Sequence, residues 1–505
     1  MALLPAVRHE ARAATTGRPN ILFILLDDAR TDGVMDEPSV LPKTKRWLAQ
    51  GGAVFPQGYA TSPLCCPERG TIWSGRLEHN TKVVDNASGD NLDRDWISSR
   101  YLHDAGYRTA LVGKFITDWN FRYQPPHFDQ FAALQGGYNN SPFMVKDPGQ
   151  AKSKIISNTG YSTDFVGSKA ASYIDGFAKD HPGQPWFMQV APHAPHIDHV
   201  GDANQHAPGC APGSTPAQQD AYLHQVYSWP SRYDNVPLPP YKPSPAVTVE
   251  GDSKTKAKAD KDPYVRNNTF PSSCGKITWE GQMRTLMAAD DMVDKVMTEL
   301  QKTGQLSNTL VILTSDNGFS FGDRGVTSKG LPYREDILVP TMVRWDGHFP
   351  AGTVDQRPIG GEDYLPTFLD AAGYKPPVLR YPLDGRSFLP GRPGRSEKYL
   401  EFGPVGRPTP AGYQGHRGIP AWASIRTKDY QYIEWYGTGS TTPGADNSTV
   451  TFREYYDLHR DPWELQSLIT TSAAAAANHV DVAALSARLS RLIHCVGTTG
   501  PDPCP

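Results

Sequence analysis

The segment Pro19–Ala29, PNILFILLDDA, sets six consecutive apolar residues between Asn20 and the pair Asp27–Asp28. A run this short and unbroken suits a strand buried on both faces, which happens where helices cover both sides of a parallel sheet. The pattern recurs. Thr109–Val112 (TALV) ends in Gly113–Lys114, Trp186–Ala191 (WFMQVA) ends in Pro192–His193, and Leu310–Thr314 (LVILT) ends in Ser315–Asp316–Asn317–Gly318. In open α/β sheets ligands bind at the C-terminal ends of the strands, so four strands that each deliver polar groups there predict both a sheet and the place of a site on it.

Helical periodicity fills the intervals. Thr163–Ala178 aligns Val166, Ala170, Tyr173, Ile174 and Phe177, and Trp279–Lys302 aligns Met283, Leu286, Met287, Val293, Val296, Met297 and Leu300. Alternating strands and helices predict an α/β sandwich with a large mixed, mostly parallel sheet flanked by helices. Residues 18–395 form the expected catalytic domain. Within it, 200–275 breaks the pattern with many prolines and the run SKTKAKADKD, and is expected as an insertion over the active face whose lysines are solvated. After about residue 395 the composition shifts: Ser424–Trp435 alternates as a strand does, and a helix is expected from Asp481 to Ile493. Residues 396–505 are expected as a small C-terminal α+β subdomain with a small antiparallel sheet.

The 505 residues carry 50 Lys and Arg against 53 Asp and Glu, a net charge of −3, which argues against a nucleic-acid partner because a phosphate backbone asks for clustered cations. No apolar stretch reaches the length of a membrane span. Met1–Gly17 has only the short apolar run Ala2–Val7, so an export signal is expected to be absent or removed. Of six cysteines, Cys495 and Cys504 enclose a Gly/Pro-rich tail, and Cys210 and Cys274 bracket the Pro- and Lys-rich insertion. Disulfides Cys210–Cys274 and Cys495–Cys504 are expected on that basis, with other pairings of the four still open. Two disulfides imply an oxidising compartment: secreted, periplasmic or lysosomal.

The remaining cysteines lie in Ser62–Gly75, SPLCCPERGTIWSG, where Cys65, Pro67 and Arg69 stand at CxPxR spacing. A thiol opening a helix, with an arginine one turn later, sits where helix N-terminal amides and a guanidinium hold a tetrahedral anion. Asp27, Asp28, Asp316 and Asn317 offer only hard oxygen ligands, a set that favours calcium, or magnesium, over zinc or copper. Lys114, His193 and Lys329 add cationic or proton-donating groups. Together they describe a cage that binds an anion, polarises it at a metal and protonates a leaving oxygen.

On these residues the chain resembles the type I sulfatases of the alkaline-phosphatase superfamily. The matching features are PNILFILLDD, LCCPERG, GYRTALVGK, APHAPH, TSDNGF, SKG, YREDILVPTMV and YYDLHRDPWE, in order from about residue 18 to the C-terminus. The likeness is closest to N-acetylglucosamine-6-sulfatases, which share the doubled cysteine, the helix running into TGQLSNT and the cysteine-bounded tail. The resemblance implies that Cys65 is converted to formylglycine by a maturation enzyme, that the aldehyde hydrate attacks sulfur, and that its second hydroxyl then expels sulfate. It implies a metal site of Asp27, Asp28, Asp316 and Asn317 with the modified Cys65. Arg69 and Lys114 are expected to steady the formylglycine and sulfate, and His193 and Lys329 to contact sulfate and the bridging oxygen. His79, Asn80 and Asn86 match a polar pocket segment of the same branch and are expected substrate contacts. His196 is kept as a further one, while His199 reads as a loop residue.

The chain departs from the family pattern in places. Glu68 stands where Ser or Ala is commonest and puts a carboxylate near an anion site; Lys114–Phe115–Ile116 lacks the usual histidine; Phe319–Ser320 replaces an aromatic-His pair. The expected activity is hydrolysis of a sulfate monoester on a sugar, with a sulfated small molecule or glycan as the expected substrate. Two alternatives stand beside it: a phosphodiesterase or phosphonate monoester hydrolase of the same superfamily, disfavoured by Asn317, and a non-catalytic sulfated-glycan binding protein in which Cys65 stays a thiol.

Overall fold

A computed structural model describes residues 17–117, 119, 121, 123–198, 214–250, 258–269 and 272–505. Its centre is a ten-stranded sheet. The predicted apolar runs form four adjacent parallel strands in the order Thr309–Ser315, Asn20–Leu26, Trp186–Ala191, Arg108–Lys114. Gln130–Leu134 extends the parallel block, and antiparallel strands border it: Pro142–Lys146 and Lys154–Ser157 on one side, Met342–Arg344 on the other.

Alternation along Asn20–Leu26 explains the sandwich. Leu22, Ile24 and Leu26 face a core shared with the helices Ser162–Asp180 and Ser272–Lys302, whereas Ile21, Phe23 and Leu25 face a second core with the helices Cys65–Ser74, Ser98–Asp104 and Tyr364–Ala371. All seven residues of the strand are buried, as a sheet covered on both faces requires. The two long helices match the predicted periodicities, and Ser272–Lys302 starts seven residues earlier than its apolar stripe suggested.

Glu397–Phe402, Ala421–Thr427, Tyr430–Tyr436 and Val450–Asp457 form a four-stranded antiparallel meander. The stretch read as one strand, Ser424–Trp435, is a hairpin turning at Lys428–Asp429, where Thr427 Oγ1 accepts from the Asp429 and Tyr430 amides. One face of this sheet packs on Leu489 and Leu492 of the helix Val482–Leu492. The other buries Leu400, Phe402, Trp422 and Ile433 together with Leu64 and Leu331, the first beside Cys65 and the second two residues after Lys329. The small sheet thus supports the site from below.

The disulfide Cys495–Cys504 is present. Cys274 is buried in the helix Ser272–Lys302, and its expected partner Cys210 lies outside the described residues, as do His199 and most of SKTKAKADKD. The expectation that the lysines of this run are solvated is overturned at Lys258 and Lys261, both fully buried. Lys258 Nζ caps the Asn268 and Arg324 carbonyls, and Lys261 Nζ pairs with Glu250 at 3.1 Å and donates to the Leu465 carbonyl at 2.7 Å. Buried carboxylate and carbonyl acceptors repay the loss of water that the charge count alone could not foresee.

Candidate active site

The strand ends converge. Asp27 and Asp28 follow Leu26, and Asp28 takes φ 70, a left-handed turn that a residue with a Cβ seldom adopts. Its amide meets Asp316 Oδ1 at 3.2 Å, and its carbonyl accepts from Gln282 Nε2 at 3.0 Å, so the turn is held from two sides. At the end of Arg108–Lys114, Gly113 (φ 103) runs so close to the next strand that a Cβ there would stand 1.9 Å from the Ala191 carbonyl oxygen. Glycine is required for Lys114 to reach the site. Cys65 opens a ten-residue helix, with Pro67 in the first turn where no backbone donor is lost and Gly75 (φ 67) closing it.

Around Cys65 the charged groups interlock. Lys114 Nζ lies 2.6 Å from Asp27 Oδ2; Arg69 Nε donates to Asp316 Oδ2 at 2.8 Å and Nη1 to the Lys114 carbonyl at 3.1 Å. Lys329 donates to Asp28 Oδ1 and stands 2.7 Å from Cys65 Sγ. Cys65 Sγ is also 3.5 Å from Asp27 and 3.8 Å from Asp28. Burial pushes the Cys65 thiol up despite Lys114 and Lys329, so it stays protonated at neutral pH. Burial acts to raise Asp27 as well, but Lys114, His196, Arg69 and Lys329 together hold it well below the usual carboxylate range. Asp316 is pushed up to about 6 by burial and then by the neighbouring Asp27 charge.

The loop bearing Lys329 is fixed on both sides. Ser320 N–H donates to the Ser328 carbonyl at 2.7 Å, and Trp422 Nε1–H to the Gly330 carbonyl at 2.7 Å. Ser320, from the departing Phe319–Ser320 pair, also donates to Asp336 at 2.7 Å, so it serves this loop while Phe319 lines the cavity.

A cavity of about 700 Å³ opens above, lined by Asp28, Cys65, Asn86, Lys114, His193 and Lys329 among others. His193 Nε2 is 3.1 Å from the Ile197 carbonyl and its Nδ1 3.9 Å from Asp27. His196 also lines the cavity, with Nε2 3.5 Å from Asp28 Oδ2, and burial holds it neutral against the pull of Asp28 and Asp27. Asn86 lines the cavity and accepts the Cys66 amide at 3.0 Å, satisfying an N-terminal donor of the helix. His79 and Asn80 stand elsewhere: His79 Nδ1 is 2.8 Å from Glu401 and Nε2 2.8 Å from the Cys495 carbonyl, while Asn80 donates to Asp384 and the same carbonyl. Neither is among the described residues lining the cavity, and both His79 nitrogens are engaged. Glu68 also points away, accepting the Ser62 amide at 2.9 Å beside Gly361, and burial holds its carboxyl well above the usual range.

The donor set suits a hard cation. Asp28 Oδ2 and Asn317 Oδ1 are buried without a hydrogen bond, and ligand atoms of Asp27, Asp28, Cys65 and His196 lie within 4.8 Å of one another. A carboxylate oxygen and an amide oxygen without donors among the described residues, beside the ionised Asp27, fit calcium or magnesium. Asp316 is turned toward Arg69, and His196 joins the group that pure oxygen counting left out.

Sequence reading missed Thr117, Trp119, Gln135, His416 and Arg417 on the cavity wall. Trp119 Nε1 and Thr117 Oγ1 are buried there without a hydrogen-bond partner among the described residues. His416 Nε2 is 2.9 Å from Ser328 Oγ.

Comparison with known proteins settles the relationship. Residues 19–374 match the family model described as Sulfatase. The chain belongs to the sulfatase family. Residues 322–493 of this sulfatase also match the model described as N-sulphoglucosamine sulphohydrolase, C-terminal. It is 26% identical over 485 residues to N-acetylglucosamine-6-O-sulfatase of Bacteroides thetaiotaomicron, covering 90% of this chain and 83% of that one. With human N-acetylglucosamine-6-sulfatase the identity is 28% over 420 residues, covering 78% and 69%. Its fold is similar to that of a protein solved in complex with its substrate D-glucosamine-2-N,6-O-disulfate, with TM-score 0.65 and 23% identity over 94% of this sulfatase and 97% of that protein.

Proposed function

We propose that this sulfatase hydrolyses a sulfate monoester on a sugar of the N-acetylglucosamine 6-sulfate kind, with Cys65 matured to formylglycine. The observation that carries the reading is that Cys65, Lys114 and Lys329 line one cavity, with Lys329 against Cys65 Sγ and Arg69 behind them bonded to Asp316 and the Lys114 carbonyl. As a thiol held protonated by burial, Cys65 is a poor nucleophile, which favours the matured form; formylglycine supplies a hydroxyl nucleophile when present. Asp27, Asp28, Asp316 and Asn317 would hold calcium, whose chemistry is to polarise a sulfate oxygen.

The chain's own groups divide the remaining work. Lys114 and Lys329 neutralise sulfate charge, Arg69 keeps Asp316 and the Lys114 backbone in place, and His193 gives a proton to the leaving sugar oxygen. The sugar assignment is supported by the names of the relatives, at modest identity.

A division at residue 395/396 is proposed to separate the region that supplies the reacting groups from the one that supports them. A formylglycine-generating enzyme is the proposed maturation partner. An extracytoplasmic setting, secreted, periplasmic or lysosomal, is proposed from the disulfide and from relatives such as the extracellular sulfatase SULF-1 homolog of Drosophila melanogaster, of whose length the match covers 32%. No helix among the described residues is long and apolar enough to cross a membrane.

The test is sulfate release from N-acetylglucosamine 6-sulfate by the protein and by Cys65→Ala, with intact mass to score conversion of Cys65. Release by the parent and none by the variant is expected. Equal release by both overturns the reading.

A further inference from the structure

Among the described residues, three cationic side chains line the cavity, and two have carboxylate partners: Lys114 with Asp27 and Lys329 with Asp28. Arg417 has none among the described residues. Its hydrogen bond runs from Nη1 to the Thr327 carbonyl at 3.2 Å, which ties it to the loop bearing Lys329 and leaves most of its N–H donors without a partner among the described residues. Burial pushes Tyr264, a tyrosine that acts on its charge, up to about 12, so that ring is no counter-ion near pH 7.

The backbone beneath it is equally particular. Arg417 takes φ 52, between Gly415 at φ 65 and Gly418 at φ 71. A side chain with a Cβ seldom stays in that region unless its surroundings hold it there, and such residues gather at ligand sites. The neighbour His416 provides the hold, with Nε2 2.9 Å from Ser328 Oγ. The loop is therefore latched beside Lys329 and turns an exposed, forked cation to the cavity rim.

One sulfate ester is already served by Lys114 and Lys329 at the floor. A guanidinium fork without a carboxylate matches a further sulfate or carboxylate in two-point geometry. We infer that Arg417 recognises a second anionic group, sulfate or carboxylate, on the same substrate molecule whose ester enters at Cys65. The inference rests on the sulfate-ester reading above and extends it to a class: multiply charged glycans rather than isolated monosulfates.

Arg417→Gly is the informative variant, because glycine is at ease at φ 52 and the loop keeps its path. The comparison uses N-acetylglucosamine 6-sulfate, glucosamine 2-N,6-O-disulfate, and a disaccharide joining the 6-sulfated sugar to a uronate. Expected is a fall of roughly tenfold or more in the kcat/KM ratio of one multiply charged substrate over the monosulfate, lying in KM rather than kcat, with Arg417→Lys between the two. A change confined to the disulfate assigns the sulfate; one confined to the uronate disaccharide assigns the carboxylate. An unchanged ratio for both, or an equal loss on all three substrates, overturns the inference. Calorimetric binding of the same sugars to Cys65→Ala, with and without Arg417→Gly, reads the same ratio without turnover. An inactive parent protein would therefore count against the sulfatase reading and leave the Arg417 test standing.

Discussion

Lys329 Nζ stands 2.7 Å from Cys65 Sγ. Burial works against its positive charge, but the Asp28 and Asp27 carboxylates hold the ammonium protonated, so it meets a substrate as a fixed cation and not as a proton donor. Lys329→Ala should lower kcat/KM by about a hundredfold, equally for nitrophenyl sulfate and a sugar sulfate, as loss of preorganised charge does. Steady-state kinetics on the two substrates checks it; a loss confined to the sugar sulfate would reassign Lys329 as the acid.

His193 should behave in the opposite way. A sugar alkoxide leaves poorly without a proton, whereas nitrophenolate does not need one, and a positioned acid contributes about a hundredfold or more. His193→Ala is expected to lose that factor on a sugar sulfate and much less on nitrophenyl sulfate. Equal losses on the two substrates would move the proton to another group.

Removal of the metal should be visible without turnover. Asp27, Asp28 and Asp316 are packed together and fully buried, and chelation would leave Lys114, Lys329 and Arg69 to offset their mutual repulsion. A cation present at about a hundred times its Kd stabilises by roughly 2.7 kcal/mol, so chelator-treated protein should melt lower and recover on addition of calcium. A melting curve unmoved by chelator and by added calcium would sink the site.

The His79–Glu401 pair predicts a pH dependence of stability. Burial pulls His79 down, but Glu401 and the Cys495 carbonyl raise it above its ordinary value near 6.5. A group raised in the folded state stabilises fully below its unfolded value and loses that contribution as pH rises through the folded one. The melting temperature of the parent over His79→Gln should therefore be widest below about pH 6.5 and shrink in alkali. A constant gap from pH 5 to 9 would show that Glu401 does not hold His79 protonated.

Trp119 offers a separable test of sugar contact. Trp119 lines the cavity and its buried indole N–H has no hydrogen-bond partner among the described residues, so Trp119→Phe deletes no hydrogen bond seen among them. Stability should change by less than about 1 kcal/mol, whereas a hydroxyl it served would cost about three- to tenfold in KM. An unchanged KM would assign the wall a packing role.

The sheet was legible because four strands are buried on both faces, and unbroken apolar runs are the one pattern such strands leave. Their polar ends were legible for the same reason: Asp27, Lys114, His193 and Asp316 begin where Leu26, Val112, Ala191 and Thr314 stop being apolar. Trp119, His416 and Arg417 left no such mark, since a loop residue reaches a cavity through a path with no period. His79 looked like a pocket residue by position, yet its ring is claimed by Glu401 and Cys495, partners 322 and 416 residues away. Lys428–Asp429 hid a hairpin because the pair lacks the glycine that two-residue turns customarily carry.

The partners of the Cys65 helix are also widely separated in time. Lys329 is synthesised 264 residues after Cys65 and Asp316 247 residues after Arg69. At about 5–20 residues per second, the nascent chain exposes Cys65 for roughly 13 to 50 seconds before the lysine that closes over it exists. The chronology of synthesis thereby sets an interval in which residue 65 exists without the lysine and aspartate that later pack around its helix.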